Sequence, residues 1–360
     1  MINVIYSKQI FNRLSGLSAF RGFKTIVGDI AKNARYDKIA TRIDEISQRH
    51  LEEKKITHQS IKQVFDGPMS NDLNVVRSNI KTANFLGWQQ TPLILPRVEN
   101  GQVKLLNSDK DVLIKSIAYL HETGQIELKK KVLIVNEGCD NGDYLLVLLP
   151  YLTSINRPEG AETAIILTNG HTRKLQGAAK LSKLLLSSSA VSFYVANAFR
   201  GLPPGLEKYQ DFQKLHLFFR LVIVARPNEI TQFIESRLKR MNNTDIAVAS
   251  FLCADEKATA ALGNRKNTYQ EPGDDFTIFI KKTSKGTQSK LKNDGIPEQN
   301  LDIYNTAFTE KGIQDLIRSR GGNIIHMIKI PSSTDDRKDI NIIGVVFTRK
   351  NPYYILSLPI

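Results

Sequence analysis

Cysteine is scarce: Cys139 and Cys253 are the only two in 360 residues. That excludes a disulfide framework and a multi-cysteine zinc site. Both lie in apolar segments, where a thiol behaves as a small buried hydrophobe. The six histidines are scattered and form no His-x-x-x-His pair, so no metal site is expected. No apolar run approaches the roughly 20 residues that span a bilayer. Acid is missing from the N-terminus, where the first carboxylate is Asp29. Before it stand Lys8, Arg13, Arg21 and Lys24 among Ser7, Ser15, Ser18 and Thr25, with Ile10, Leu14 and Leu17 at helical spacing. Basic, hydroxyl-rich, acid-poor and amphipathic is the composition of a mitochondrial transit peptide. Residues 1–30 are therefore expected to address the chain to the mitochondrial matrix.

What the chain has in excess is positive charge, +14 at neutral pH with a pI near 9.6. A polyanionic partner follows, nucleic acid first. Residues 31–80 are taken as a helical N-terminal segment, in which the run from about Tyr36 to Phe65, with Ile39, Ile43, Ile46 and Leu51 on one face, is broken by Gly67-Pro68. A further helix is predicted over 109–123. Apolar runs at 131–135, 163–167, 191–195, 221–225 and 250–254 read as buried strands separated by helical stretches, the pattern of an α/β fold with a mostly parallel sheet. We take 81–295 as that domain. Residues 296–360 form an α+β extension, with a helix at 312–320 and antiparallel strands at 323–330, 340–347 and 353–358 that complete or flank the sheet.

The run from Lys131 carries the chemistry-bearing pattern. A strand, Lys131-Val-Leu-Ile-Val135, leads into Asn136-Glu-Gly-Cys-Asp-Asn-Gly-Asp143 and then the apolar helix from Tyr144 to Pro150. Strand, glycine turn and helix form the frame of a phosphate-binding loop. Downstream come His171-Thr-Arg-Lys-Leu175, then Arg226-Pro-Asn-Glu-Ile230, and then Asp255-Glu-Lys-Ala258 followed by Leu262-Gly263. Their intervals suit one βα unit, two units and one unit. In order and spacing this series resembles the first RecA-like lobe of a DEAD-box RNA helicase. The resemblance covers 131–263, and Asn84 to Pro92 resembles the aromatic-then-Thr-Pro stretch upstream of that family's loop.

The resemblance implies a degenerate nucleotide loop at Gly138, Asn141, Gly142, Asp143 and Tyr144, with Asp255 and Glu256 as the remnant of the acidic motif. Asp143 stands where a lysine would meet phosphate, and Tyr144 where a small hydroxyl would reach magnesium. It also implies RNA-backbone contacts at Thr172, Arg173, Lys174, Lys180, Lys183, Arg226 and Pro227. After Gly263 too little chain remains for a second lobe. The reading is thus a non-enzymatic RNA-binding protein with no cofactor, acting in mitochondrial RNA metabolism or translation, with ribosomal or messenger RNA, the mitoribosome or other RNA-binding proteins as partners. The acid-free run Lys281 to Lys292 reads as a solvated loop, with RNA contact as its alternative.

Two other readings compete. In the first, Glu137-Gly-Cys-Asp-Asn-Gly142 is the glycine-rich turn of an S-adenosylmethionine-dependent RNA methyltransferase, and the helix and hairpin over 312–347 close that fold. Against it, the second strand ends Leu167-Thr168-Asn169, without the acid that meets ribose hydroxyls. In the second, the chain is a structural subunit of the mitochondrial ribosome.

Overall fold

The computed structural model describes residues 19–66, 75–77, 97–100, 102–104, 108–126, 130–155, 162–170, 172–185, 191–196, 198–203, 205–218, 225–254, 268–269, 275–281, 303–331 and 341–350. Its centre is five parallel strands, β4 (Lys131–Glu137), β5 (Glu162–Asn169), β6 (Val191–Val195), β7 (Gln213–Phe218) and β8 (Ile246–Cys253). Across the sheet they stand β6-β5-β4-β7-β8. From β4 the chain builds outward through β5 and β6, then returns to the other side of β4 for β7 and β8. This is the 3-2-1-4-5 order of a doubly wound sheet, with its switch point between β4 and β7.

Both flanks are extended. The short β1 (Val75–Arg77) lies parallel to β6. On the far side β13 (Asn341–Arg349) runs antiparallel along the whole of β8, and β12 (Gly322–Pro331) runs antiparallel to β13. The later strand is thus inserted, reversed, between β8 and its own hairpin partner. An antiparallel group of β9 (Thr268–Tyr269), β10 (Phe276–Lys281) and β11 (Ile303–Phe308) joins the end of β8 through Leu252 and Cys253. A separate hairpin pairs β2 (Arg97–Glu99) with β3 (Gln102–Lys104).

Period-two alternation sends each strand's side chains to two covered faces, which is why the strands read as nearly unbroken apolar runs. Val132 and Ile134 share one core with α1 (Ala19–Glu53), α2 (His58–Asp66), α3 (Ser108–Glu122), α4 (Leu145–Ser154) and α5 (Thr172–Leu185). Leu133 and Val135 face the other way, against Phe212 and the 3₁₀ turn Leu206–Tyr209. Further along that second face, α6 (Pro227–Leu238) and α7 (Glu310–Ser319) lay Phe233, Ile234, Ile313 and Ile317 on Phe251, Val345 and Phe347. Among the described residues no helix is long and apolar enough to cross a membrane.

The expected α/β sheet, mostly parallel and flanked by helices, is present, with helices before it and antiparallel strands after it. Ile39, Ile43 and Leu51 are buried on one face of α1, as their spacing predicts. One strand was not foreseen. The fourth is Gln213–Phe218, whereas Ala225 lies in a bend and residues 221–224 lie outside the described residues. Two polar side chains, Lys214 and His216, interrupt this strand and both are buried. The strand expected over 353–358 also lies outside the described residues.

His216 gives the fold a pH dependence. Burial first, with Arg237 and Lys214 nearby, pushes its pKa down to about 3. In the unfolded chain it takes up a proton near pH 6.5. Its contribution is therefore fully present above about pH 6.5 and is lost as pH falls toward about 3, at about 1.4 kcal/mol per pH unit. Urea midpoints should drop more steeply below pH 6.5 in the native chain than in His216→Leu. Parallel slopes would remove His216 as the source.

Candidate active site

The turn after β4 lies at the carboxyl edge of the sheet beside the switch point, where ligands bind in open α/β sheets. Gly138, Asp140 and Gly142 all take left-handed conformations, with φ of 81°, 53° and 72°. The N–H groups of Gly138 and Cys139 both donate to the Thr168 carbonyl at 2.9 Å, tying the turn to the end of β5. A Cβ on Gly142 would stand 2.6 Å from Cβ of Ala178, so glycine there lets α5 close on the turn. Asp140 has no such excuse for its positive φ. A left-handed L residue costs about 1–2 kcal/mol, and the ion pairs of Asp140 offset that strain.

Those pairs belong to a compact charged cluster. Lys110 of α3 and Asp143 are both fully buried and form a direct ion pair. Nζ of Lys110 also lies 3.5 Å from Oδ2 of Asp140 and donates to Oδ1 of Asn141 at 3.2 Å. Asn141 Oδ1 accepts as well from the Asp143 backbone N–H, at 3.2 Å. From α5, Lys174 reaches Oδ1 of Asp140 at 2.5 Å. Asp143 Oδ2 is buried with no hydrogen-bond partner among the described residues. Below the cluster, Asn136 Nδ2 donates to the Tyr144 hydroxyl at 2.6 Å. Burial raises the Tyr144 phenol well above its usual range. It also raises the Cys139 thiol, which disqualifies Cys139 as a thiolate nucleophile.

A second buried ion pair closes the other face of the edge. Nε and Nη2 of Arg237 donate to Oε1 and Oε2 of Glu137 at 2.8 and 2.6 Å. Nη2 also reaches the carbonyls of Ala198 at 2.6 Å and Gly201 at 2.8 Å. The guanidinium lies 4.5 Å from the Phe233 ring centroid. Burial raises the Glu137 pKa, and the facing guanidinium opposes the rise. The pair fastens the end of β4 to α6 and to the segment after β6.

Of the residues expected at a nucleotide loop, Gly138, Asn141, Gly142, Asp143 and Tyr144 share this turn, while Asp255 and Glu256 lie outside the described residues. Thr172 and Arg173 open α5. Lys174 turns inward to Asp140, and Lys180 donates to the Phe65 carbonyl at 3.3 Å. Lys183 is exposed. Arg226 and Pro227 start α6, where the Arg226 N–H donates to Glu229 at 2.8 Å. Lys281 closes β10, while the rest of the run to Lys292 and the Asn84 to Pro92 segment lie outside the described residues. Sequence reasoning did not single out Lys110 or Arg237, which sit far along the chain from the turn. Lys110 stands between Asp109 and Asp111, and Arg237 lies two residues after Glu235 and two before Lys239, so each reads as an ordinary charge on a polar helix face.

No protein-family model and no curated protein sequence matches the chain. Among solved structures it is similar to an S-adenosylmethionine-dependent methyltransferase of Clostridium acetobutylicum, at 11% identity over 67% of this chain and 91% of that one, with a TM-score of 0.39. It is similar too to magnesium protoporphyrin IX methyltransferase of Synechocystis, at 14% identity over 68% and 83% with a TM-score of 0.39. A third is the Burkholderia thailandensis 1,6-didemethyltoxoflavin-N1-methyltransferase, at 9% identity over 68% and 80% with a TM-score of 0.40. At these values the likeness concerns overall architecture alone.

The helicase resemblance is corrected by the strand order. The sheet is doubly wound in Rossmann order, not a RecA-like lobe. The non-enzymatic reading falls with it, because it rested on Asp143 and Tyr144 as lost ATPase residues. Asp143 is instead the buried partner of Lys110, and Tyr144 the buried partner of Asn136. Both residues therefore have structural partners of their own in the turn.

Proposed function

We propose that this chain is an S-adenosylmethionine-dependent methyltransferase that acts on RNA in mitochondria. The observation that carries the reading is the glycine-bearing, left-handed turn after the first strand of a 3-2-1-4-5 sheet, closed by a reversed strand beside the fifth. In such sheets an adenosine-containing cofactor lies across the carboxyl edge, at the turn and the end of the neighbouring strand. The residues present fit that group. Gly138 to Gly142 bring backbone close to the edge, and the buried Asp143 Oδ2 is an acceptor in want of an N–H. Asn169, at the end of β5, offers a neutral amide to the ribose hydroxyls in place of a carboxylate.

When bound, the cofactor supplies an electrophilic methyl group. The protein's task is then to hold the acceptor in line and exclude water, which orientation alone makes effective. RNA as acceptor is supported by the net charge of +14 and by Lys183 and Arg226, which phosphate would meet as positioning contacts. The mitochondrial setting is supported by the acid-free, basic first 28 residues.

Purified protein incubated with methyl-labelled cofactor should transfer label to mitochondrial RNA, with heat-denatured protein as the blank. Absence of both transfer and S-adenosylhomocysteine binding in the folded chain would overturn the reading.

A further inference from the structure

We infer that Lys110 and Lys174 form the seat for the carboxylate of the cofactor's amino-acid end, a seat that the Asp140 side chain itself takes in this structure. The inference rests on the cofactor reading above and adds what its binding must displace. Three observations converge. Two ammonium groups, one from α3 ahead of the first strand and one from α5 behind the second, meet at one carboxylate in the turn, at 3.5 and 2.5 Å. That carboxylate belongs to a residue held at φ 53°, a conformation that glycine would adopt without strain. Asp140 thus accepts backbone strain at the position where it can reach both lysines.

The third observation is the neighbouring acceptor, Asp143 Oδ2, buried and without a hydrogen-bond partner among the described residues. A cation pair beside an unsatisfied carboxylate oxygen is complementary to a zwitterionic α-amino acid, with carboxylate to the lysines and ammonium to the aspartate. A nucleoside without the amino-acid end would have no use for either.

Asp140 is therefore an internal competitor. Lys174 is 12% exposed and Asp140 13%, so the pair is partly screened from water but not sealed in. Swinging Asp140 outward exchanges one lysine-bound carboxylate for another. The apparent affinity is lowered by the fraction of molecules in which Asp140 holds the seat. Without the Asp140 charge, the seat carries two cations against the single remaining carboxylate of Asp143.

Calorimetric titration of the purified chain with S-adenosylhomocysteine and, separately, with methylthioadenosine, which lacks the amino-acid end, tests this. Asp140→Gly and Asp140→Asn should each tighten S-adenosylhomocysteine by about tenfold or more, while methylthioadenosine binding stays unchanged. Lys174→Met, a change confined to one face of α5, should weaken S-adenosylhomocysteine alone. It keeps the test alive should the turn variants fail to fold. Equal tightening of both ligands would mean that the turn had merely been opened, and would overturn the inference. Unchanged S-adenosylhomocysteine affinity in the Asp140 variants would overturn it too, while the cofactor reading stood. Binding of neither ligand to any folded variant would sink the cofactor reading and the inference with it.

Discussion

Arg237→Leu should lower the unfolding free energy by about 3–5 kcal/mol, the usual consequence of removing one partner from a buried ion pair. Arg237 and Glu137 side chains are 3% and 1% exposed, so the stranded carboxylate would have no water to turn to. The same change leaves the Ala198 and Gly201 carbonyls without their guanidinium donor. Adding Glu137→Gln should restore much of the loss, because removing both charges of a buried pair is often close to neutral. Urea unfolding of the single and double variants measures both. A single variant within about 1 kcal/mol of the native chain would show that the pair does not clamp the sheet edge.

Much of the sheet was legible because its strands are continuous apolar runs buried on both faces. Val191–Val195 was located to the residue. Lys131–Glu137 was found with its last two residues missed, and Ile246–Cys253 with its first four missed and its end overrun by one. The fourth strand was missed because Lys214 and His216 alternate with Leu215 and Leu217, so the run looks amphipathic although every one of these residues is buried. Alternation was the available signal, and the more apolar stretch at 221–225 outcompeted it.

The site was legible as a turn and illegible as chemistry. Strand, glycine turn and helix are common to phosphate loops and to the dinucleotide turns of doubly wound sheets. What separates the two is strand order, set by contacts across the whole chain. The sequence places Asp143 where a phosphate-binding lysine would stand, and that reading makes it a defect. Only the fold brings Lys110 from α3 against it and turns the defect into a partner. The same distance hides Arg237, 100 residues beyond Glu137. Motif order along the chain cannot register such pairs, because helices from both sides of the glycine turn supply them.

Lys110→Met is the corresponding test on the other face of the turn, and its loss should again be about 3–5 kcal/mol. The methionine keeps the length and apolar stem that pack in α3 but removes the ammonium. Asp143 is then left at zero exposure without its ammonium partner, with one oxygen already lacking a hydrogen-bond partner among the described residues. Asp140 retains Lys174, so the damage should concentrate at Asp143. Asp143→Asn introduced into Lys110→Met should recover most of the stability, since an amide can be buried at far lower cost than a carboxylate. Amide exchange supplies a local readout: the Gly142 N–H, bonded to the Cys139 carbonyl at 3.2 Å, should lose protection in the single variant and regain it in the double. Stability lost without faster exchange at Gly142 would place the role of Lys110 in the α3 core instead of in the turn.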